Sequence, residues 1–472
     1  MADKQYHVMM FPWLAFGHML PFLELAKKLA AKGISISFIS TPRNIQRLPS
    51  IPASLTDQIK LVEIPLPPTD GLPENSEATI DLQLEQVQYL KKAYDGLQAP
   101  FEMLLQRDQP DLILFDFIPC WVPETAARFG VPTAFFSVFS AATLAYTGPP
   151  DELKSFGSRT RIEDFTVAPR WIPFPSLVAH RPDCAARIFQ NLKLSDISGM
   201  SSGQRLATTL EGCNFVVVRS CRDFEGNYLN LLEELYQKPV LPIGLLPPNL
   251  EKNKAQSLLN KNWDFTFKWL DKQKLNSVVF VGFGSEYKMP VEQIQELALG
   301  IELSKLPFIW ILRKPDEVDS SGFLPSGFSA RTSGQGIVCY GWAPQQEILA
   351  HPAIGGCLFH SGWGSIIESL CFGHPLILMP MMADQGLNAK LLVENGIGLE
   401  VQRNEDGSFD RDEVAKSMRI VMVEQEWASL RLKAAQVQTI FTDQYHHENY
   451  INKFVQHLAI TRETCQMSED PN

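Results

Sequence analysis

Residues 342–385 read WAPQQEILAHPAIGGCLFHSGWGSIIESLCFGHPLILMPMMADQ. This stretch leaves few options for the fold. After a Trp-Ala-Pro-Gln turn and a short helical segment (346–350), an apolar strand (355–359) runs directly into His360. A Ser-Gly-Trp-Gly-Ser turn then opens a helix carrying Glu368, and a second apolar strand (375–379) ends in a loop with Asp384 and Gln385. Strand, turn, helix and strand in that order build a parallel sheet, since parallel neighbours need a crossover between them. The strand ends then lie at the carboxyl edge, where open α/β sheets bind ligands. A small turn opening a helix offers unpaired N–H groups and a positive dipole end to a phosphate.

The same alternation runs through the rest of the chain. Residues 7–11 predict a buried strand, 12–18 a loop, and 19–31 a helix with apolar positions at helical spacing and Gly33 as its stop signal. Residues 34–40 alternate as a second strand, completing a βαβ unit whose first turn is a ligand position. Further strands are read at 60–64, 110–115, 132–137, 214–219 and 240–243, with helices at 81–106 and 121–129. Residues 147–201 are Pro-rich and read as an irregular cover, because long insertions usually cover something. The second half predicts strands at 277–283, 308–312 and 336–340 before the 342–385 stretch. Helices are expected at 265–270, 290–304, 390–394, 411–422 and 429–441. Tyr450, Ile451, Phe454, Val455 and Leu458 make an apolar stripe on a final helix.

The expected organisation is two Rossmann-like α/β domains facing a cleft. They span 1–245 and 263–445, joined by a linker of two prolines and mostly polar residues at 246–262. The last helix, 446–460, has a face to bury, and the polar tail 461–472 reads as disordered. A formal charge of −11 in 472 residues argues against nucleic acid or an anionic membrane as partner. Eight cysteines without metal or disulfide spacing point to reduced thiols and a cytoplasmic setting. The apolar run at 6–26 is broken by His7, Pro12, Gly17, His18, Pro21 and Glu24, so it predicts neither signal peptide nor membrane span.

The 342–385 stretch resembles the signature box of plant family-1 UDP-sugar glycosyltransferases in length and in most of its ordered positions. With PWLAFGH near the start and VGFGSE after the strand at 277–283, the resemblance spans about residues 6–458. It is similar in detail to the subgroup that extends sugars on small-molecule glycosides. The resemblance implies the GT-B architecture, with an acceptor-binding first domain, a donor-binding second domain and the final helix packing back on the first. It further implies a UDP-sugar co-substrate used without a metal; a monomer is expected.

Two residues carry the expected chemistry. His18 stands in a Gly-His pair at the mouth of the first helix, where imidazole suits a general base; its dull alternative is a helix-capping loop histidine. Asp116 ends the strand PDLILF, where a carboxylate can orient that ring; its alternative is a cap for the next helix. The resemblance assigns both to catalysis. It implies that Trp342 stacks on uracil, with Gln345 and the backbone of Ala343 at the base edge, and that Glu368 takes the ribose hydroxyls. Ser285, His360 and Ser365 would hold the diphosphate, and Trp363, Asp384 and Gln385 the sugar. Gly364 departs from the Asn that many members carry, so only its backbone N–H can serve there. Trp13, Phe16 and Phe117 offer flat apolar faces for an acceptor, though each could equally be core.

The expected reaction is inverting transfer of glucose from UDP-glucose to a hydroxyl of a terpenoid or flavonoid glycoside, making a 1→2 sugar–sugar bond. UDP-rhamnose as donor and an aglycone as acceptor are the alternatives within that chemistry. A catalytically silent UDP-sugar-binding protein is the alternative outside it. A nicotinamide oxidoreductase is weaker still, because Gly282-x-Gly284 lacks the rest of a dinucleotide fingerprint.

Overall fold

The structure is a computed structural model that describes residues 5–154, 157–248, 263–314 and 322–468, with side chains to residue 461. Its contacts divide the chain into two units. The first comprises Met1–Asp164, Arg187–Leu246 and Gln444–Asn472; the second comprises Phe165–Ala186 and Pro247–Asp443.

The first unit holds a seven-stranded sheet in the order β3-β2-β1-β4-β5-β6-β7. Its strands are β1 (His7–Phe11), β2 (Ser35–Ser40), β3 (Ile59–Glu63), β4 (Leu112–Phe115), β5 (Thr133–Ser137), β6 (Phe215–Val218) and β7 (Val240–Pro242). Every neighbouring pair is parallel. Nearly every residue of β1, β2, β4, β5 and β6 is buried, as expected for a sheet covered on both faces. The winding reverses between β1 and β4: β2 and β3 follow β1 on one side, and β5 to β7 follow β4 on the other. Register brings Phe11 opposite Phe115 across that line.

The second unit repeats the device with six parallel strands, ordered β10-β9-β8-β11-β12-β13. They are β8 (Val278–Gly282), β9 (Phe308–Leu312), β10 (Gly336–Tyr340), β11 (Ile354–Phe359), β12 (Leu376–Leu378) and β13 (Gly398–Glu400). The reversal falls between β8 and β11, where Gly282 pairs with Phe359.

Four expectations are corrected. The helix expected at 81–106 is two helices, Val87–Asp95 and Gln98–Asp108, broken at Gly96. A Cβ on Gly96 would lie 2.6 Å from Pro67 Cγ, so the chain passes close there and glycine ends the first helix. The cover at 147–201 is not irregular throughout, since Pro182–Lys193 is a helix. Nor does all of it stay with the first unit. Phe165–Ala186 joins the second, tied by Leu177 N–H to Glu394 (2.7 Å) and by Arg181 to Glu400 (3.2 Å). Finally, the last helix runs Gln444–Ser468, so 461–468 is helical rather than a disordered tail. Residues 249–262 of the expected linker and 469–472 of the tail lie outside the described residues.

The final helix buries Ile451, Phe454 and Leu458 in the first unit's core, against residues such as Leu29 and Phe215. Lys32 pairs with Glu448 at 2.6 Å, and the Tyr450 hydroxyl accepts the Arg222 N–H at 2.9 Å. Among the described residues no helix is long and apolar enough to cross a membrane.

Candidate active site

At the winding reversal of the first sheet, β1 leads through Pro12–Ala15 into the helix Phe16–Ala30, which starts earlier than its periodicity suggests. His18 therefore sits in the first helical turn, with its N–H bonded to Ala15 O at 2.9 Å. Asp116 follows β4 directly. The two meet across the reversal: His18 Nδ1 lies 2.7 Å from Asp116 Oδ2. Asp116 is 1% exposed and His18 14%. Oδ2 also accepts the Trp13 N–H (3.2 Å), and Oδ1 accepts the Phe117 N–H (2.8 Å). Three donors thus converge on the carboxylate, which is acceptor-only when ionised. Nδ1 of His18 donates to it, which selects the tautomer carrying its lone pair on Nε2.

The surrounding aromatics divide into wall and support. Trp13 is 5% exposed and meets Tyr94 edge-on with centroids 5.3 Å apart, so it is core, and its share in the site is its main-chain N–H. Tyr94 donates to Pro12 O at 2.5 Å, and burial, reinforced by Asp116, pushes its phenol well above the usual range, keeping that donor protonated. Phe16 and Phe117 are half-buried. Phe139, which the sequence reading missed, sets its edge to the His18 ring at 5.4 Å. It stands two residues past β5, the next strand end along the same edge, and that position was its only signal.

In the second unit the reversal between β8 and β11 places Gly284 against His360. Gly284 has φ +68°, and a Cβ there would lie 2.9 Å from His360 Cε1; a Cβ on Gly362 would lie 2.5 Å from its Nε2. Two glycines therefore wall the imidazole. Burial pulls the His360 pKa down to about 4, so the ring is neutral at ordinary pH. Its Nδ1 is buried with no hydrogen-bond partner among the described residues, as is the hydroxyl of Ser361, a residue with φ +63°. Gly362 caps the helix Trp363–Leu370 without a side-chain hydrogen bond, so the first-turn amides of Gly364 and Ser365 remain available to an anion. Ser285 is exposed in the turn after β8, and its carbonyl accepts from Arg313 at 2.6 Å. Unpartnered buried polar atoms, a neutral ring and uncapped amides at one sheet edge fit a diphosphate.

Gly284→Ala is expected to raise KM for the donor by at least about tenfold. The added methyl would meet the His360 ring, and the left-handed backbone disfavours any side chain. Donor-dependence kinetics on a variant with a normal melting curve would check this, and an unchanged KM would refute the walled-imidazole reading.

The rest of the expected donor set is partly as anticipated and partly redirected. Trp342 is 86% exposed, an open face for stacking. Ala343 is buried, and its carbonyl accepts the Gln345 N–H at 2.8 Å. The Gln345 side chain is turned to Glu368, donating to Oε2 at 2.6 Å, while Gln346 donates to Oε1 at 3.1 Å. Gln346 was not anticipated. The paired amides orient a carboxylate that still has lone pairs for hydroxyl donors. The Trp363 ring is buried, so it is core rather than an open sugar-binding surface. Gln385 is redirected as well: its Oε1 accepts the Met381 and Met382 N–H groups at 2.9 and 3.0 Å, leaving its NH2 as the group to offer a ligand. Asp384 accepts from Asn388 at 2.7 Å. Among the described residues no group of three His, Cys, Asp or Glu converges as a metal site.

His374 shows how burial in this unit couples to pH. Its Nε2 donates to Leu349 O at 2.7 Å, and burial lowers its pKa from 6.5 to about 4. Below pH 6.5 the unfolded chain binds a proton that the folded chain refuses until about pH 4. Stability is therefore lost as pH falls through that window, by an amount on the order of 3 kcal/mol for such a group. Melting curves of wild type and His374→Gln between pH 7 and 4 should differ in slope, with the variant shallower; parallel curves would contradict it.

Residues 268–444 match the family profile described as UDP-glucoronosyl and UDP-glucosyl transferase. UDP-glycosyltransferase 91C1 of Arabidopsis thaliana is 44% identical, over 97% of this chain and 98% of its own. Soyasaponin III rhamnosyltransferase of Glycine max is 40% identical, over 97% and 96%. Among solved structures, UGT73P12 of Glycyrrhiza uralensis, complexed with glycyrrhetinic acid 3-O-monoglucuronide, superposes with a TM-score of 0.78 at 21% identity, covering 99% of this chain and 97% of that one. That likeness is one of fold, and it makes the two parallel-sheet domains those of the GT-B class. Relatives this similar along nearly their whole length mean that the chain belongs to the plant family-1 UDP-glycosyltransferases, enzymes that transfer a sugar from a UDP-sugar to a small molecule.

Proposed function

We propose that this enzyme transfers glucose from UDP-glucose, with inversion, to a sugar hydroxyl of a terpenoid or flavonoid glycoside, forming a 1→2 bond. The observation that carries the mechanism is the 2.7 Å contact between His18 Nδ1 and Asp116 Oδ2. His18 Nε2 takes the acceptor's hydroxyl proton as the oxygen bonds to the anomeric carbon. The bond from that carbon to UDP breaks on the opposite face, and its electron pair leaves with the diphosphate. An α-linked donor then gives a β-linked product, and Asp116 stabilises the imidazolium that forms.

Charge on the departing UDP is met by hydrogen bonds from His360, Ser285 and the first-turn amides of Gly364 and Ser365. In this reading no metal takes part, and turnover persists in excess EDTA. Trp342 stacks on the uracil, Gln345 and Ala343 lie near its edge, and Glu368 accepts from the ribose. Asp384 and the Gln385 amide bind the glucose hydroxyls. Phe16 and Phe117, joined by Phe139, face the acceptor. We place the enzyme in the cytoplasm as a monomer.

One observation favours a second donor: the Glycine max relative is named a rhamnosyltransferase, which keeps UDP-rhamnose as the competing substrate. A paired assay decides both points. UDP-glucose and UDP-rhamnose are each supplied with an aglycone and its monoglucoside, for flavonoid, diterpenoid and triterpenoid scaffolds, and products are read by mass spectrometry. A disaccharide product from UDP-glucose is expected. Faster turnover of every aglycone than of its glucoside would overturn the acceptor reading, and exclusive use of UDP-rhamnose would overturn the donor reading.

A further inference from the structure

Asn388 lies one helical turn beyond Asp384, in the helix Gln385–Glu394, and is 0% exposed. Its side-chain NH2 donates twice, to Asp384 Oδ2 at 2.7 Å and to the main-chain carbonyl of Ser361 at 3.2 Å. The first partner is the carboxylate at the sugar end of the donor box. The second belongs to the turn that carries His360 and the glycine wall. Ser361 has φ +63°, a region that disfavours a side chain, and a buried hydroxyl without a partner among the described residues. Residues held in such backbone persist where their surroundings over-determine them, and the Asn388 amide supplies one such constraint.

We infer that Asn388 is a positioning residue for the donor sugar, locking the Asp384 carboxylate to the diphosphate turn. A carboxamide suits this role because one planar NH2 provides two donors at a fixed angle. With Oδ2 occupied by Asn388, the orientation of the Asp384 carboxylate toward hexose hydroxyls is set before the donor arrives. Ordering that carboxylate at the moment of binding would otherwise count against affinity. The inference rests on the reading that Asp384 binds the sugar.

The test uses the full-length chain with Asn388→Ala, Asn388→Asp, Asp384→Ala and the Asn388→Ala/Asp384→Ala double variant. KM and kcat are measured with UDP-glucose and with UDP-galactose, Kd with UDP alone, and folding by melting curve. Asn388→Ala is expected to raise KM for UDP-glucose by about tenfold or more, the scale of a hydrogen bond to a charged group. The Kd for UDP should move much less, and the preference for glucose over galactose should fall as far as it does in Asp384→Ala. In the double variant, loss of Asn388 should add little to loss of Asp384, because coupled residues are non-additive. Asn388→Asp keeps the size but replaces the donor with a second carboxylate, so it should be at least as impaired; it also serves if the alanine variant fails to fold. Unchanged KM and sugar preference, or equal losses for UDP and UDP-glucose that add to those of Asp384→Ala, would overturn the inference. Should the wild type use UDP-rhamnose and not UDP-glucose, the donor reading fails by itself. The same four variants then test Asn388 with UDP-rhamnose and its UDP control.

Discussion

His18→Ala is expected to lower kcat by about 10²–10⁴-fold, the range for loss of a general base, while the Kd for UDP stays at its wild-type value. The split follows from where the residue stands. His18 stands in the first turn of the helix that follows β1 in the first unit and faces Asp116, Phe117 and Phe139, whereas the residues suited to the nucleotide all lie in the second unit. Removing the imidazole leaves the acceptor hydroxyl with no base, and a hydroxyl near its ordinary pKa is a poor nucleophile. Single-turnover measurement with saturating donor, beside calorimetry with UDP, gives both numbers. Turnover close to wild type would sink the assignment of the base, whatever happened to KM.

Asp116→Asn is the second large effect, expected at about 10²-fold or more in kcat, since an orienting carboxylate in a catalytic triad is worth up to about 10⁴. The geometry gives the reason. The native carboxylate accepts from His18 Nδ1, Trp13 N and Phe117 N at once. A carboxamide has one oxygen and one NH2. With its oxygen toward His18 and Trp13, its NH2 opposes the Phe117 N–H and leaves a buried donor unsatisfied, at a cost of roughly 1–3 kcal/mol. Turned the other way, the NH2 faces Nδ1 and selects the tautomer with its proton on Nε2, which cannot accept one from the substrate. Nitrogen-15 shifts of the His18 ring would report the tautomer directly. A variant with wild-type kcat and an Nδ1-protonated ring would show that the carboxylate charge is not needed.

The donor box was legible because its information is local. Apolar strand runs, small residues in the turns and helical spacing after them are properties of neighbours in the chain, and they located His360, Glu368 and Asp384 at strand ends or on the helices that follow. Local signals placed His18 at the mouth of the first helix and Asp116 at the end of β4, but it was the resemblance that chose catalysis over helix capping for both. Gln346, Asn388 and Phe139 were not. Gln346 is a polar residue on a short helix and Asn388 one in a mixed helix, whose i,i+4 spacing to Asp384 is local but common to many helices. Gln346 and Asn388 matter because packing brings a distant partner within hydrogen-bonding distance, Glu368 for the first and Ser361 for the second. Trp13 and Trp363 show the complementary limit: an aromatic beside a site looks alike in sequence whether its ring faces the ligand or the core, and only the fold shows both to be buried.

From the sequence by itself came the α/β class, the strand ends that carry the chemistry, and the order of the donor box. The first two rest on periodicity and turn chemistry over a few residues; the third rests on the resemblance of residues 342–385 to the signature box of a known family. Tertiary structure decided that β1 lies beside β4 and β8 beside β11, and hence that His18 meets Asp116 and Gly284 meets His360. It also decided that residues 165–186 join the second unit, where Arg181 finds Glu400. Strand order, and the burial of one polar group against another about a hundred or more residues away, depend on how whole apolar faces are covered. No local run of residues encodes that, because the partner whose burial makes the contact favourable is absent from it.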